Sequence, residues 1–338
     1  MICRSDYSGL GNQTRDLCRL LKPDKILLID SFSFNGKEQH PEWYSSYDVQ
    51  TTHGFAMDDD VERFLSNVDA VLTAETFYNN AFIRIAQSRG IRTYNQYNYE
   101  FFEPLANRRM MLPTKILSPS HWHYDEMVRL TSRDKMIYLP PPTFIDDFND
   151  IRETNLKRTG KRRFLHVAGT MAAFDRAGTK DLLAALEFAK ENFELVIRVQ
   201  KGEQLKSNDP RVTFDYTQVT DEKELYRDFD AMIQPRKYGG LNLPMNEALA
   251  AGLPVIMTDI SPNNKILPRH WLVPTHNTGN FQARVRIDLW SAYPQELGFK
   301  LDWLSICSLD IEKQNAYNIA KANYSPEVLL PRYREILT

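Results

Sequence analysis

Short apolar runs recurring between amphipathic stretches set the main limit on what this chain can fold into. In the first half they cover residues 1–4, 25–30, 70–74, 92–97 and 115–118, with helical patterns over 13–21 and 79–89. In the second half they cover 163–169, 194–199, 212–216, 231–234 and 254–259. Runs this short suit strands buried on both faces, and their alternation with helical patterns predicts parallel sheets of doubly wound α/β type. The stretch Tyr138-Leu-Pro-Pro-Pro-Thr-Phe144 breaks the alternation, because three consecutive prolines forbid regular helix or a central strand. The expected organisation is a Rossmann-like domain over 1–144, a charged linker over 145–162 and a second Rossmann-like domain over 163–308. Residues 309–338 read as amphipathic helix broken at Tyr324-Ser-Pro326. Two such domains would face each other across a cleft, with ligands at the carboxyl ends of the strands.

Composition removes several function classes. The 338 residues suffice for two cores. A formal net charge of −2 gives no global basic field for a nucleic acid or membrane partner. No apolar run reaches transmembrane length, and Met1-Ile-Cys-Arg-Ser-Asp lacks the pattern of a signal peptide. Cys3, Cys18 and Cys307 are scattered and odd in number, which favours reduced thiols and a cytoplasmic setting.

The richest segment is Arg236-Lys-Tyr-Gly-Gly-Leu-Asn-Leu-Pro-Met-Asn-Glu-Ala-Leu-Ala-Ala-Gly-Leu-Pro-Val-Ile-Met-Thr-Asp259. It reads as a glycine turn, a helix opened by Pro244 and closed by Gly252, then a buried strand. Backbone N–H groups and a helix N-terminus converge on one point, which suits a phosphate. Glu247 lies one turn inside, where a carboxylate can accept from two hydroxyls of a sugar. The run resembles the nucleotide-sugar-binding segment of retaining, family-4-like glycosyltransferases of GT-B fold. That segment usually reads Tyr-Glu-Gly-Phe-Gly-Leu-Pro-x-x-Glu-Ala, followed by Gly-x-Pro-Val. Further segments match the family in order along the chain: a first glycine loop, a Pro-Ser segment, an interdomain proline turn and a Gly-Thr strand end.

The resemblance assigns roles. Glu247 stands where the family holds the nucleotide ribose. Gly239 replaces the family's sugar-contacting glutamate, so Gly239, Gly240, Leu241, Asn242 and Leu243 line a donor-sugar site in which Asn242 is the nearest candidate for the lost catalytic role. In Val167-Ala-Gly-Thr-Met-Ala-Ala-Phe-Asp-Arg-Ala-Gly-Thr-Lys180, Gly169 and Thr170 end a strand. Thr170 occupies the family's arginine position and Ala177 its lysine position. Arg176 and Lys180 are therefore the candidate diphosphate cations, with Arg236 or Lys237 as a second charge. The loop Tyr7-Ser-Gly-Leu-Gly-Asn-Gln-Thr14 resembles the first glycine loop, with Gly9 and Gly11 turning the chain into a helix near Gln13. Where the family often has a histidine near the reacting sugar, Glu75 is the polar group, and Glu100 ends the next strand. Either could take the acceptor proton or stabilise oxocarbenium charge.

Two patterns have plainer readings. Ser120 reads as an N-cap with His123 at the third helical position, and His121 and His123 do not converge on a metal. Asp58-Asp-Asp60 reads as charge at a helix start. The implied reaction is transfer of a sugar, with retention, from a UDP-, GDP- or ADP-sugar to a hydroxyl, without a catalytic metal or cofactor. The compact form looks like bacteriophage-encoded members, which would act in the host cytoplasm on hydroxymethylated pyrimidines in DNA or on a virion protein. Other members act on polysaccharide or lipid. DNA needs a basic track, for which Arg108, Arg109, Lys157, Arg158, Lys161, Arg162 and Arg163 are the candidates. For a lipid acceptor the helix over 13–21 offers only Arg15 and Arg19. A nucleotide-sugar epimerase or hydrolase, or a silent nucleotide-sugar-binding module, remains compatible with the same features.

Overall fold

The computed structural model describes residues 1–101, 111–170, 173–201, 205–217, 219 and 221–337, with backbone only at Thr170, Ala173 and Lys201. The chain divides into two compact units, Met1–Pro142 with Pro326–Thr338, and Thr143–Ser325.

The first unit runs β1 (Ile2–Arg4), α1 (Gly9–Leu21), β2 (Lys25–Asp30), α2 (Phe32–Asn35), β3 (Asp48–His53), α3 (Asp58–Phe64), β4 (Ala70–Ala74), α4 (Phe82–Ser88), β5 (Arg92–Gln96), β6 (Lys115–Ser118), α5 (Tyr124–Thr131) and β7 (Met136–Tyr138). All ladders are parallel, in the orders β1-β2-β3 and β4-β5-β6-β7, and β1 lies beside β4. Ile2, Leu27, Ile29, Val71, Phe64 and Phe82 fill the core beneath. The five strands expected here form. Asp48–His53 was not anticipated, because Asp-Val-Gln-Thr-Thr-His carries one aliphatic residue and its side chains stay largely in water. Helix α1 begins at Gly9 rather than near Gln13, because Ser8 caps it: Gly11 N donates to Ser8 Oγ at 3.1 Å. Gly11 sits in this first turn for space. A Cβ there would lie 1.9 Å from the Asp6 carbonyl oxygen, whereas one on Gly9 would meet nothing. The Ser120 cap does not form either. Trp122 N donates to Ser120 Oγ, and α5 starts only at Tyr124, after His123 in a left-handed conformation.

The second unit begins with a 3-10 turn at Ile145–Phe148 and helix α6 (Asn149–Lys157). Ile145, Phe148 and Ile151 are buried in its core, so the segment expected as a linker is part of the domain. Its charged residues suggested a linker, but Ile145, Phe148 and Ile151 turn inward at three-residue spacing and Asn155 is buried one turn on. Then follow β8 (Arg163–Thr170), α7 (Thr179–Ala185), β9 (Glu194–Lys201), β10 (Val212–Asp215), β11 (Ala231–Gln234), α8 (Leu243–Ala250), β12 (Val255–Thr258), α9 (Asn263–Ile266), β13 (Leu272–Val273), a hairpin of β14 (Thr275–Gln282) and β15 (Arg286–Ala292), α10 (Pro294–Ile306) and α11 (Asp310–Tyr324). Six strands form one parallel sheet, β10-β9-β8-β11-β12-β13. Leu195, Ile197, Met232, Ile233, Val255, Ile256 and Met257 are buried, the continuous apolar pattern of a sheet covered on both faces.

The terminal helix breaks where Ser325-Pro326 requires, because Pro326 cannot supply a helical N–H. Helix α11 stays in the second unit, while α12 (Pro326–Leu337) belongs to the first and packs on α1. There Tyr333 and Gln96 share a hydrogen bond of 3.0 Å, and Gln13 donates to Gln96 at 2.6 Å.

His166, on β8, supplies a pH test of the second unit. Its ring is fully buried between the Ile233 carbonyl (2.7 Å) and Thr179 Oγ1 (2.9 Å). Burial lowers its pKa from 6.5 to about 4. The unfolded chain binds the proton near 6.5 and the folded chain only near 4, so stability is lost as pH falls through that window. We expect denaturant unfolding to show about 2 kcal/mol less stability at pH 5 than at pH 7 from this group. His166→Gln should flatten that dependence.

Candidate functional site

In the second unit the chain winds one way from β8 and the other way from β11. The crevice at that switch of direction is flanked by the loops that follow these two strands. Of the donor-side residues picked from the sequence, Arg176, Arg236, Lys237, Gly239, Gly240, Leu241 and Asn242 lie on these two loops, while Gly169 and Thr170 end β8, Lys180 lies in the first turn of α7 and Leu243 and Glu247 lie in α8. The loops are locked together. Lys237 N donates to the Arg176 carbonyl at 3.0 Å, and a Cβ on Gly178 would lie 1.9 Å from the Pro235 carbonyl oxygen. Phe174 and Asp175 hold left-handed backbone angles of 66° and 50°, a strain that non-glycine residues bear only where the surroundings enforce it. Gly169 (φ 62°) precedes the last residue of β8, Thr170, which pairs with Lys201.

Gly239, at φ 115°, is the centre of the site. A Cβ there would stand 2.5 Å from Nη2 of Arg176 and 2.5 Å from Nη2 of Arg236. Two guanidinium groups thus fill the space where a larger residue would carry its side chain. Arg176 also lies over the Tyr238 ring, 5.1 Å from its centroid. Arg236 is 7 % exposed and braces the turn, with Nε donating to the Tyr238 carbonyl (2.8 Å) and Nη1 to the Leu241 carbonyl (2.9 Å). Lys237 is spoken for, 3.0 Å from Asp181 and 3.8 Å from Asp175. Lys180 is exposed on the first turn of α7.

The two helices behind these loops differ. The N-terminus of α7 is already occupied, since Asp175 accepts from Thr179 N and Lys180 N, each at 2.9 Å. Burial raises the Asp175 pKa, against the pull of those N–H groups and Lys237. Helix α8 has Asn242 at its N-cap and no side-chain cap. Asn242 and Asn246 are 7 % and 1 % exposed, and the Nδ2 of each is buried without a hydrogen-bond partner. Pro244 sits in the first turn, and Gly252 (φ 72°) ends the helix as expected. Gly240, Leu241 and Leu243 complete the turn; Gly240 is buried and the two leucines half-buried.

Glu247 is half-buried on α8 and accepts a 2.5 Å hydrogen bond from Tyr226 Oη. Tyr226 is fully buried, and burial with the adjacent carboxylate raises its pKa well above the usual phenol value, so it remains a donor. Sequence reasoning missed Tyr226, which sits in Glu-Lys-Glu-Leu-Tyr-Arg with nothing to mark it. Tyr226→Phe should free Glu247 to turn on its helix and weaken nucleotide binding about fivefold, as titration calorimetry would read. The hairpin β14–β15 was missed too. It docks on the donor loops through Trp290 N to the Lys237 carbonyl (3.1 Å) and Ala292 N to Asp181 (3.1 Å). Its Phe281 stacks on Phe174 and meets Tyr238 edge-on.

In the first unit, Glu75 and Glu100 follow the adjacent strands β4 and β5. Glu75 has φ 62° and accepts from Asn98 Nδ2 at 2.8 Å. Glu100 is 8 % exposed in a short 3-10 turn. Gly9 and Gly11 lie in the first turn of α1, after β1. His123 faces Glu126 and stacks on Tyr99, and His121 stacks on Tyr138. Asp58, Asp59 and Asp60 occupy the first turn of α3. Among the described residues no cluster of three His, Cys, Asp or Glu could hold a metal.

Arg158 and Arg162 face Asp230, Arg163 faces Asp228, and Lys157 faces Glu153. Arg108 and Arg109 lie outside the described residues. No helix among the described residues is long and apolar enough to cross a membrane.

Residues 162–287 match the protein family described as "Glycosyl transferases group 1". No curated protein matches the chain. Its fold is close to that of a glycosyltransferase from Rickettsia africae ESF-5, with a TM-score of 0.69, 14 % identity, and 99 % of this chain and 96 % of that one covered. Anabaena Alr3699/HepE in complex with UDP and glucose aligns with a TM-score of 0.67, 12 % identity, and 99 % and 98 % covered. The lipopolysaccharide outer core galactosyltransferase WaaB aligns with a TM-score of 0.65, 10 % identity, and 99 % and 97 % covered.

Proposed function

We propose that this group 1 glycosyltransferase of GT-B fold transfers a sugar, with retention, from a nucleoside diphosphate to an acceptor hydroxyl, holding the diphosphate where Arg176 and Arg236 meet at Gly239. That convergence, beside the uncapped N-terminus of α8, is the observation that carries the reading. The two Nη2 atoms stand within about 5 Å of each other, which sets like charge against like charge. A diphosphate between them turns the same charges into charge-assisted hydrogen bonds. In the reaction the C1–O bond of the donor sugar breaks and the diphosphate leaves with its electron pair. The acceptor oxygen bonds to C1, and its proton goes to a carboxylate, for which Glu75, fixed by Asn98, is the candidate. Developing charge on the leaving group is stabilised by Arg176, Arg236 and the helix N-terminus. Glu247, held by Tyr226, receives the ribose hydroxyls. Asn242 and Asn246 offer amide donors to the sugar in place of the family's glutamate.

The alignment with a protein in complex with UDP and glucose makes a uridine diphosphate sugar the first donor to try. Retention rests on the resemblance of the 236–259 segment to retaining enzymes, and the anomeric proton coupling of the product checks it. Among acceptors, the pairing of Arg158, Arg162 and Arg163 with carboxylates speaks against DNA and for an acceptor without a polyanionic backbone. The test is thermal unfolding with UDP, GDP and ADP and their sugars. At a hundredfold excess over Kd the correct nucleotide should stabilise the protein by about 2.7 kcal/mol. Arg176→Gln should remove most of that gain. If no nucleotide shifts the transition, the reading is wrong.

A further inference from the structure

Aromatic side chains gather at the carboxyl ends of β2, β3 and β4 in the first unit, away from any residue assigned above except Glu75. Phe34 in α2, Phe55 just after β3 and Tyr78 after β4 form a triangle of rings with centroids 6.1 to 6.4 Å apart. Tyr78 is buried, while Phe34 and Phe55 are 46 % and 64 % exposed, and Phe32 beside them is 60 % exposed. Leaving such rings in water forgoes about 1.5–3 kcal/mol each, and contiguous patches of this kind mark binding surfaces. Burial pushes the Tyr78 phenol pKa up, with Arg4 opposing the rise and Glu75 adding to it. Asn98, which fixes Glu75, is 8 % exposed, and its carbonyl oxygen Oδ1 is buried without a hydrogen-bond donor.

Charge decides what this face fits. Asp30, at the end of β2, accepts from the backbone N–H of Phe32, and Asp58, Asp59 and Asp60 follow Phe55 in the chain at the start of α3. The cations here have partners: Arg4, whose guanidinium lies 5.7 Å from the centroid of the Phe34 ring, pairs with Asp6, and Arg63 pairs with Asp60. Bases of a single strand also stack on aromatic rings, but their phosphates need a cationic groove, and carboxylates border this one. An uncharged pyranose ring meets every feature. Its C–H face carries slight positive charge and lies on the negative face of an aromatic ring. Its hydroxyls donate to carboxylates and to an amide oxygen such as that of Asn98.

We propose that Phe34, Phe55 and Tyr78 form an acceptor subsite for a neutral sugar ring, so that the acceptor hydroxyl belongs to a saccharide. This rests on the reading of the chain as a glycosyltransferase. The experiment is saturation-transfer NMR on the full chain with the methyl α- and β-pyranosides of glucose, galactose and mannose, and with a short single-stranded oligonucleotide. At least one glycoside should give saturable transfer from its ring protons. Both Phe34→Ala/Phe55→Ala and the bulk-preserving Phe34→Leu/Phe55→Leu should weaken it about tenfold. Absence of any glycoside signal, an unchanged signal in both double variants, or displacement of the glycoside by the oligonucleotide would each overturn the proposal. A thermal shift with nucleotide, recorded on the same samples, separates this failure from failure of the donor reading. A variant that keeps the shift is folded and donor-competent.

Discussion

Glu247→Ala is expected to lower donor kcat/KM by about 100- to 1,000-fold, the worth of two hydrogen bonds from ribose hydroxyls to an ionised carboxylate. The same substitution should cost about 1–3 kcal/mol of stability, because Tyr226 Oη, fully buried, loses the acceptor it now has at 2.5 Å. Glu247→Gln separates the two effects. An amide oxygen still accepts from Tyr226, so stability should return, while binding stays weakened by the loss of charge and of one acceptor. Steady-state kinetics with the donor found by thermal shift, together with urea unfolding of all three proteins, measure both quantities. Donor kinetics left untouched by Glu247→Ala would remove the ribose from this position.

The sequence was legible wherever one local pattern controlled the outcome. Buried parallel strands announce themselves as apolar runs, and ten of them were placed. Pro244 and Gly252 marked the two ends of α8 because each acts through its own backbone. What failed had its cause outside the local window. Asp48–His53 is an edge strand whose partner, Lys25–Asp30, supplies the apolar character it lacks. In the hairpin, β14 is almost wholly polar, while β15 alternates exposed Arg286 and Asp288 with buried Ile287 and Leu289 and touches the donor loop at Lys237. At the site, Glu247 was visible through its spacing from Pro244. Its partner Tyr226 lies 21 residues away and was not. Lys237 and Arg236, adjacent and alike in sequence, separate only in the fold. Two aspartates neutralise the first, and the second turns its guanidinium to Gly239.

Gly239→Glu puts that last point to the sharpest test, since it writes the family's usual residue back into the motif. If the glycine were a simple loss, the restored carboxylate would raise activity. The geometry predicts the reverse. A Cβ at this position stands 2.5 Å from Nη2 of both Arg176 and Arg236, closer than non-bonded atoms approach, so both guanidinium groups must move. The backbone angle of 115° adds strain of about 1–3 kcal/mol for any residue with a Cβ. The carboxylate would also neutralise the charges meant for the leaving diphosphate. Loss of one such stabilising group is worth about 100- to 1,000-fold in kcat. Gly239→Ala isolates the steric part and should lose less than Gly239→Glu. The double variant Gly239→Glu/Arg176→Ala clears space and leaves Arg236 facing the new carboxylate, so it should recover stability without recovering turnover. Circular dichroism melts and donor turnover on the three variants give the order. Activity of Gly239→Glu at or above that of the original protein would mean that the two arginines are not the diphosphate clamp. The glycine would then be a tolerated gap in the motif rather than the residue that makes room for its replacement.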